Sequence, residues 1–247
     1  MDLVRDSSRL LIPGLYNARD LGNMPAADGR MTACHHLVRS DAPDHLNAES
    51  IRELSAYPIG AVIDLRSKEE AAAHPDSIRE DHRFTYYNIP LLHINADDIN
   101  ANIISETIRT SLGQLYVWMF ENCKPYFAEV LRTILKEKGK TVLFHCAHGK
   151  DRTGLITAIF YLLCGVSRDL IISDYAISYT YVADLVAPLM EATEESVHHI
   201  YRSDASNMEM LLAHVDKNYQ GDIRVFLRSC GLTDEEMSAL RGILLPD

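Results

Sequence analysis

A chain of 247 residues that is 47% hydrophobic and 24% charged has the composition of a globular protein, which excludes the disordered and fibrous classes. Its formal net charge of −11 disfavours nucleic acid and anionic membranes as partners, because both select for a basic surface. The five cysteines are an odd number without close spacing, which argues against a disulfide framework and fits a reducing compartment.

Neither a targeting signal nor an integral membrane segment is expected. The first twenty residues carry charged side chains among short apolar runs, so they lack the apolar core of a secretory signal. The longest strongly apolar stretch, residues 155–166, has only 12 residues, whereas a membrane span needs about 20. We therefore expect a cytoplasmic protein, and one domain over residues 1–247, since no repeat, linker or shift in composition divides the chain.

The first third of the chain is predicted to supply most of the strands. Residues 36–39, 59–65 and 84–90 have the apolar and β-branched character of strands. A short helix over residues 48–56 is expected between the first two, and Asn47 is placed to cap it.

Helices dominate the middle of the chain. A second helix is predicted over 126–138, followed by a buried strand over 141–144 and a helix that runs through Leu163 and stops at Gly165. Before these, residues 99–119 have apolar side chains at spacings of three and four, a helical stripe formed by Ile103, Ile104, Ile108, Leu112, Leu115 and Met119.

The remainder of the chain, from residue 167, is predicted to be almost wholly helical. Thr233 and Glu236 have the spacing of a capping box. Residues 167–219 are expected to form a helical insertion or layer that either shapes a ligand-binding cleft or only packs on the rest of the fold. Strands that come early and helices that come late predict an α/β fold with a central, mostly parallel sheet flanked by helices and an extra helical C-terminal part.

The chemistry is carried by residues 145–154, which read His-Cys-Ala-His-Gly-Lys-Asp-Arg-Thr-Gly. Five residues separate Cys146 from Arg152, enough for a loop between a strand and a helix to direct successive backbone N–H groups at one anion. The same field favours the thiolate of Cys146 over its thiol. Arg152, on the first helical turn, is placed to hold two phosphate oxygens with its planar fork.

The other residues of this loop are candidates for substrate binding. Gly149 permits a backbone with positive φ, and the Thr153 hydroxyl is placed to donate to the sulfur when the thiolate departs. The full set of candidate binding residues is Ala147, His148, Gly149, Lys150, Thr153 and Gly154.

This segment resembles the signature loop of the protein tyrosine phosphatase superfamily, and its Gly-Lys-Asp-Arg-Thr version is similar to the atypical bacterial tyrosine phosphatases, a branch that also resembles lipid phosphatases here. That branch usually has Ala where this chain has His148. Residues 17–22, Asn-Ala-Arg-Asp-Leu-Gly, resemble a further element of the branch, as do residues 39–41 and 63–66.

The resemblance implies a cysteine-dependent phosphatase with an α/β fold, without metal or cofactor. It implies hydrolysis of phosphotyrosine in proteins through a phosphocysteine intermediate. An alternative is a phosphoinositide or inositol phosphate phosphatase, which Lys150 would favour by contacting extra phosphates. A second alternative is a catalytically inactive module that binds phosphorylated partners.

The general acid is not evident, because no aspartate lies between Asp98 and Asp151. Asp151, beside Arg152 in the loop, is the first candidate. Asp64, at the predicted end of a strand, is the second, and Asp97 or Asp98 the third. The structural alternatives are that Asp151 fixes the loop and that Asp64 pairs with an arginine, Arg66.

Five further side chains near these motifs have two interpretations each. His145 is expected to be buried and to orient the loop, and a metal site with Cys146 and His148 is disfavoured by the cations beside it. His148 either tunes specificity or is solvated, and Lys150 is either a phosphate ligand or a solvated lysine. Arg19 and Asp20 either border the cleft or form a turn or ion pair.

Overall fold

The computed structural model describes residues 8–92 and 111–246, and within these ranges the chain forms five strands and nine α-helices. The strands are β1 (Arg19–Asp20), β2 (Leu37–Ser40), β3 (Ile59–Asp64), β4 (Thr85–Asn88) and β5 (Thr141–His145). The helices are α1 (Ala48–Ala56), α2 (Lys68–Ala73), α3 (Leu112–Asn122), α4 (Lys124–Lys136), α5 (Asp151–Cys164), α6 (Arg168–Glu191), α7 (Ala205–Asn218), α8 (Ile223–Ser229) and α9 (Asp234–Leu244). A 3-10 turn, Glu195–Ile200, lies between α6 and α7.

The five strands form one sheet in the order β1-β2-β5-β3-β4, antiparallel between β1 and β2 and parallel elsewhere. This confirms the predicted α/β fold with a mostly parallel sheet. Ser40 and Asp64 are both in register with His145, so the carboxyl ends of β2, β3 and β5 meet at one edge. In open α/β sheets this edge is where ligands bind.

The central strands β2, β3 and β5 contribute side chains to two apolar cores, because alternate side chains point to opposite faces of the sheet. On β5, Phe144 packs into the larger core with α5, and Leu143 packs into a smaller core on the other face. On β2, Leu37 and Val38 divide in the same way. The sheet is therefore covered on both faces, as a parallel sheet requires.

Local signals determine where several elements begin and end. The Asn47 side chain accepts the N–H of Glu49 and Ser50 at the start of α1, and the Thr233 capping box begins α9, as predicted. Gly165 ends α5 with φ of 73°, the left-handed conformation that glycine adopts without strain.

Some predicted boundaries are shifted. α4 begins at Lys124 rather than at residue 126 because a proline lies in its first turn, where no backbone donor is needed. β4 is shorter than predicted and ends before Pro90, which lacks the N–H of a strand ladder. Of the helical stripe, Ile103, Ile104 and Ile108 lie outside the described residues, and α3 begins at Leu112 behind the Ser111 cap.

Among the described helices, α6 alone is long and apolar enough to cross a membrane by length and composition, with a mean hydropathy of 1.2 over its best window. One third of that window is buried within the fold. The helix packs against α5 and α7, and its Asp174 carboxylate pairs with Arg19 and Arg39 of the sheet.

Candidate active site

The loop between β5 and α5 is bent tightly against the end of β2. Gly149 adopts φ of 68°, and a Cβ at this position would lie 2.5 Å from the backbone of Ser40 and Asp41. The N–H of Ala42 donates to the carbonyl of Ala147 at 3.0 Å, which holds the other side of the bend. Only glycine fits position 149, as the sequence predicted.

Cys146 is the first residue of this loop and is buried. Burial alone would raise the pKa of its thiol, but the Arg152 guanidinium and the hydroxyl and N–H of Thr153 outweigh this effect. The pKa of Cys146 is consequently lowered, although Asp151 opposes the change. The loop thus favours the thiolate, the form of cysteine that acts as a nucleophile.

Arg152 lies in the first turn of α5 and is held by Glu70 of α2. Its Nη1 and Nη2 donate to the two oxygens of Glu70 at 2.6 and 2.8 Å. Burial would lower the pKa of Arg152, but Glu70 and the Cys146 sulfur raise it above its usual range. Glu70 also accepts the Ser67 N–H in a capping box. Glu70 thereby positions one edge of the guanidinium. Glu70 was not among the site residues predicted from the sequence, although the Ser67-x-x-Glu70 spacing marks a helix start.

His145 is fully buried at the end of β5, as predicted. Its Nδ1 lies 3.1 Å from the Cys146 carbonyl oxygen, and its Nε2 lies 2.9 Å from Oδ2 of Asp76 and 3.9 Å from Oδ1 of Asp64. Burial would lower the pKa of the ring, but Asp76 and then Asp64 raise it to about 9. The ring is therefore an imidazolium at neutral pH, in ion-pair contact with Asp76.

Asp64, the second candidate acid, is fully buried and bound on both oxygens. The Nε and Nη2 of Arg66 donate to it at 2.9 Å each, and the Tyr86 hydroxyl donates at 2.8 Å. Arg66 Nη2 also donates to Asp76 at 2.7 Å. The structure therefore contains the Asp64–Arg66 pair, which was predicted from the sequence as the structural alternative to a role of Asp64 as general acid. Asp97 and Asp98, the third candidates, lie outside the described residues.

Asp151 begins α5 and accepts from two buried donors. The Tyr116 hydroxyl donates to its Oδ1, and Lys150 Nζ lies 2.9 Å from Oδ1 and 2.8 Å from Oδ2. Lys150 is fully buried and also donates to the carbonyls of Ile200 at 2.7 Å and Arg202 at 3.2 Å. The interpretation of Lys150 as a solvated lysine is wrong, because these acceptors compensate the buried ammonium.

Arg19 and Asp20 form an ion pair and a turn, which is the structural one of the two interpretations predicted for them. Arg19 Nε pairs with Asp174 at 3.3 Å and its Nη2 donates to the Asp174 carbonyl at 3.0 Å. Asp20 accepts the N–H of Gly22 at 2.6 Å and the Tyr57 hydroxyl at 2.6 Å. Both side chains are buried.

A second arginine, Arg39, connects the loop to α6. This connection was not predicted from the sequence. Arg39 Nη2 donates to the carbonyl of Gly149 at 2.6 Å, and its Nη1 pairs with Asp174 at 2.6 Å. Because Asp174 lies far along the chain, only the Arg39-Ser40-Asp41 segment was identified beforehand. Asp41 accepts the N–H of Tyr16 and Asn17 and thereby joins the N-terminal segment to the same edge.

A cavity of about 400 Å³ opens beside the loop. Ala147 and His148 of the loop line it, together with Leu185 and Leu189 of α6. Burial and the neighbouring Lys150 lower the pKa of His148, so the ring is neutral at neutral pH. A larger cavity of about 630 Å³ includes the start of β5 and no residue of the loop. We take the smaller cavity as the candidate cleft because two residues of the loop, Ala147 and His148, line it together with Glu70.

Comparison with known proteins places this site in a family. The model of the tyrosine phosphatase family matches residues 10–246. A tyrosine-protein phosphatase of Nostoc commune is 32% identical over 230 residues, which cover 88% of this chain and 76% of that protein. The triple specificity protein phosphatase PtpB of Mycobacterium tuberculosis is 25% identical over 95% of this chain and 98% of its own. TpbA of P. aeruginosa superposes with a TM-score of 0.41 and 17% identity over 82% of this chain and 90% of that one. The chain is a phosphatase that belongs to the tyrosine phosphatase family, as its loop predicted.

Proposed function

We propose that the chain hydrolyses phosphotyrosine in proteins through a phosphocysteine intermediate on Cys146. The observation that carries the proposal is a buried thiol with a lowered pKa, in a loop bent around one point, facing a positioned arginine. The similarity to proteins named tyrosine-protein phosphatase supports the same substrate class.

The reaction proceeds in two displacements. The Cys146 thiolate attacks phosphorus, and the bond from phosphorus to the leaving oxygen breaks while Arg152 and the loop N–H groups, including those of Ala147 and Gly149, hold the other oxygens. Water then attacks the phosphocysteine, and the thiolate leaves with the Thr153 hydroxyl beside it. Inorganic phosphate is released and the sulfur is regenerated.

Asp151 is the proposed general acid because, of the candidate carboxyls in the described part of the chain, it lies in the loop and interacts electrostatically with Cys146. Its proton passes to the leaving oxygen, and the resulting carboxylate removes a proton from the attacking water in the second step. Asp64 is enclosed by Arg66 and Tyr86, which supports a structural role for that residue.

Burst kinetics test the intermediate directly. Release of nitrophenol from p-nitrophenyl phosphate is expected to show a burst equal to the enzyme concentration, and Cys146→Ser is expected to remove it. Cys164→Ser is the matched control, since Cys164 is a buried free thiol at the far end of α5. A burst that persists in Cys146→Ser contradicts the proposal, and phosphate binding without turnover by the native chain indicates an inactive binding module.

Substrate class is tested by parallel assays on a phosphotyrosine peptide, the corresponding phosphoserine peptide and a phosphoinositide. The Lys150 ammonium is occupied by Asp151 and two carbonyls, which supports phosphotyrosine over a ligand with several phosphates. A higher kcat/KM for the phosphoinositide than for the peptide would overturn this preference.

The layer formed by α6 and α7 is proposed to cover the cleft within a single catalytic domain. Leu185 and Leu189 line the cavity beside the loop, where an aryl group would stand above the sulfur. Leu185→Ala is expected to raise KM for aryl phosphates, while Leu189→Ala is expected to do so less, because its side chain is more exposed. Unchanged KM values in both variants would support a purely packing role.

A reducing compartment such as the cytoplasm is the proposed location. All five cysteines are free thiols, and oxidation of Cys146 would remove the nucleophile. Fractionation of the source cells with an epitope on the chain would test this, and recovery outside the cytoplasm would contradict it.

A further inference from the structure

A chain of buried hydroxyl groups lies behind Asp151. The Tyr116 hydroxyl of α3 donates to Oδ1 of Asp151 and lies 2.8 Å from the hydroxyl of Tyr175 on α6. Asn207 of α7 donates its Nδ2 to the Tyr175 hydroxyl at 3.3 Å. Tyr116 is completely buried, and its ring meets that of Tyr175 edge-on. A hydroxyl from the helical core thus touches the carboxyl group next to Arg152.

The two oxygens of Asp151 have different environments. Lys150 Nζ lies within hydrogen-bond distance of both, but only Oδ1 accepts the Tyr116 hydroxyl as well. An oxygen with two donors directed at it is the less favourable site for the acidic proton, because that proton would face other hydrogens. The proton that Asp151 can give therefore belongs on Oδ2.

Given the proposed role of Asp151 as general acid, we propose that Tyr116 is a positioning residue that presents Oδ2 to the substrate and stabilises the carboxylate formed on proton transfer. As the bond from phosphorus to the leaving oxygen breaks, the bond between Oδ2 and hydrogen also breaks, and the leaving oxygen takes the proton. The negative charge then left on Asp151 is met by the Tyr116 hydroxyl and the Lys150 ammonium. Hydrogen bonds to an ionised group are stronger than those between neutral groups.

The consequence is a dependence on the leaving group. A poor leaving group such as phenolate needs its proton in the transition state, whereas dinitrophenolate departs without one. Tyr116→Phe keeps the ring and removes only the donor to Asp151. It should lower kcat for phenyl phosphate about tenfold, the effect of one hydrogen bond to a charged group, with little change for 2,4-dinitrophenyl phosphate. KM and the alkylation rate of Cys146 should stay as in the native enzyme.

Tyr219→Phe is the matched control, because it removes the same kind of bond, a 2.7 Å hydrogen bond to Glu121, outside the site. Its leaving-group dependence is expected to be native. Tyr175→Phe leaves the bond from Tyr116 to Asp151 intact and is expected to be native as well. If Tyr175→Phe reproduces the Tyr116→Phe pattern, packing of the helices rather than the Tyr116 donor is responsible, and the inference is overturned.

Asp151→Asn separates this inference from the proposed function. Equal losses for both esters in Asp151→Asn would refute the acid role and the role of Tyr116 with it. A selective loss in Asp151→Asn with a native pattern in Tyr116→Phe would refute the role of Tyr116 alone. In the double variant that combines Asp151→Asn with Tyr116→Phe, the second substitution should not lower kcat for phenyl phosphate further. An additional tenfold fall in kcat would show that Tyr116 acts without Asp151.

Discussion

Replacing Asp76 by asparagine removes the negative charge that lies 2.9 Å from the buried ring of His145. The pKa of that ring is about 9 in the folded protein against a usual 6.5. The difference of about 2.5 pH units, at ~1.4 kcal/mol each, corresponds to about 3.5 kcal/mol of stability. Because the folded-state pKa is the higher one, this stabilisation is complete below pH 6.5 and is lost as the pH rises through about 9.

In Asp76→Asn, the desolvation that opposes the charged ring is no longer offset by the nearest carboxylate, and Asp64 at 3.9 Å compensates only in part. We expect the variant to lose about 3 kcal/mol more at about pH 6 than at about pH 9.5, where the ring is largely neutral in both proteins and the weakened bond to Arg66 is the main remaining loss. Urea unfolding followed by circular dichroism at the two pH values measures both differences.

Asp81→Asn is the control, since Asp81 forms an exposed pair with Arg83 and should give a small change that is independent of pH. The reasoning is refuted if Asp76→Asn loses the same stability at both pH values. That result would mean that Asp76 stabilises the fold by packing or by its bond to Arg66 and does not hold His145 in its charged form.

Three further changes test the loop itself. Glu70→Gln releases one edge of Arg152, so kcat/KM should fall about tenfold with little change in melting temperature, and an unchanged kcat/KM would contradict the positioning role. Gly149→Ala places a side chain at positive φ against the backbone of a neighbouring strand end, and it should lower the free energy of unfolding by ~3 kcal/mol or more. Gly139→Ala is the control, because its φ of 102° is strained in the same way but the space around it is open, and it should cost about 1 to 2 kcal/mol. Thermal unfolding measures both. Arg152→Met removes the main charge that lowers the pKa of Cys146, so the pH profile of Cys146 alkylation by iodoacetamide should move to higher pH. An unmoved profile would mean that the loop amides, and not Arg152, lower the pKa of the thiol.

The central part of the fold was predictable because its signals are local. The β-branched run before Cys146, the glycine that ends α5 and the capping residues Asn47 and Thr233 each act over a few neighbouring residues. Propensity, capping and the left-handed glycine need no information from distant parts of the chain. Two of the shifted boundaries have a proline as their cause, the first turn of α4 and the end of β4.

The partners of the loop were not predictable in the same way. Glu70 is 82 residues from Arg152, Asp174 is 135 residues from Arg39, and Tyr116 is 35 residues from Asp151. Each pair is brought together only when the sheet closes and the helices pack on it. A buried charge must find a partner, but the sequence offers many carboxylates and does not indicate which one will be near.

By itself, the sequence determined the strand, the five-residue loop and the helix of the candidate site, because these elements are contiguous and their geometry follows from short-range sterics and hydrogen bonds. Only the tertiary structure decided the environments of the charged residues around it. It buried Lys150 against two carbonyls, enclosed Asp64 with Arg66 and charged His145 through Asp76. These outcomes depend on desolvation and on distances between remote segments, which exist only after the chain has folded.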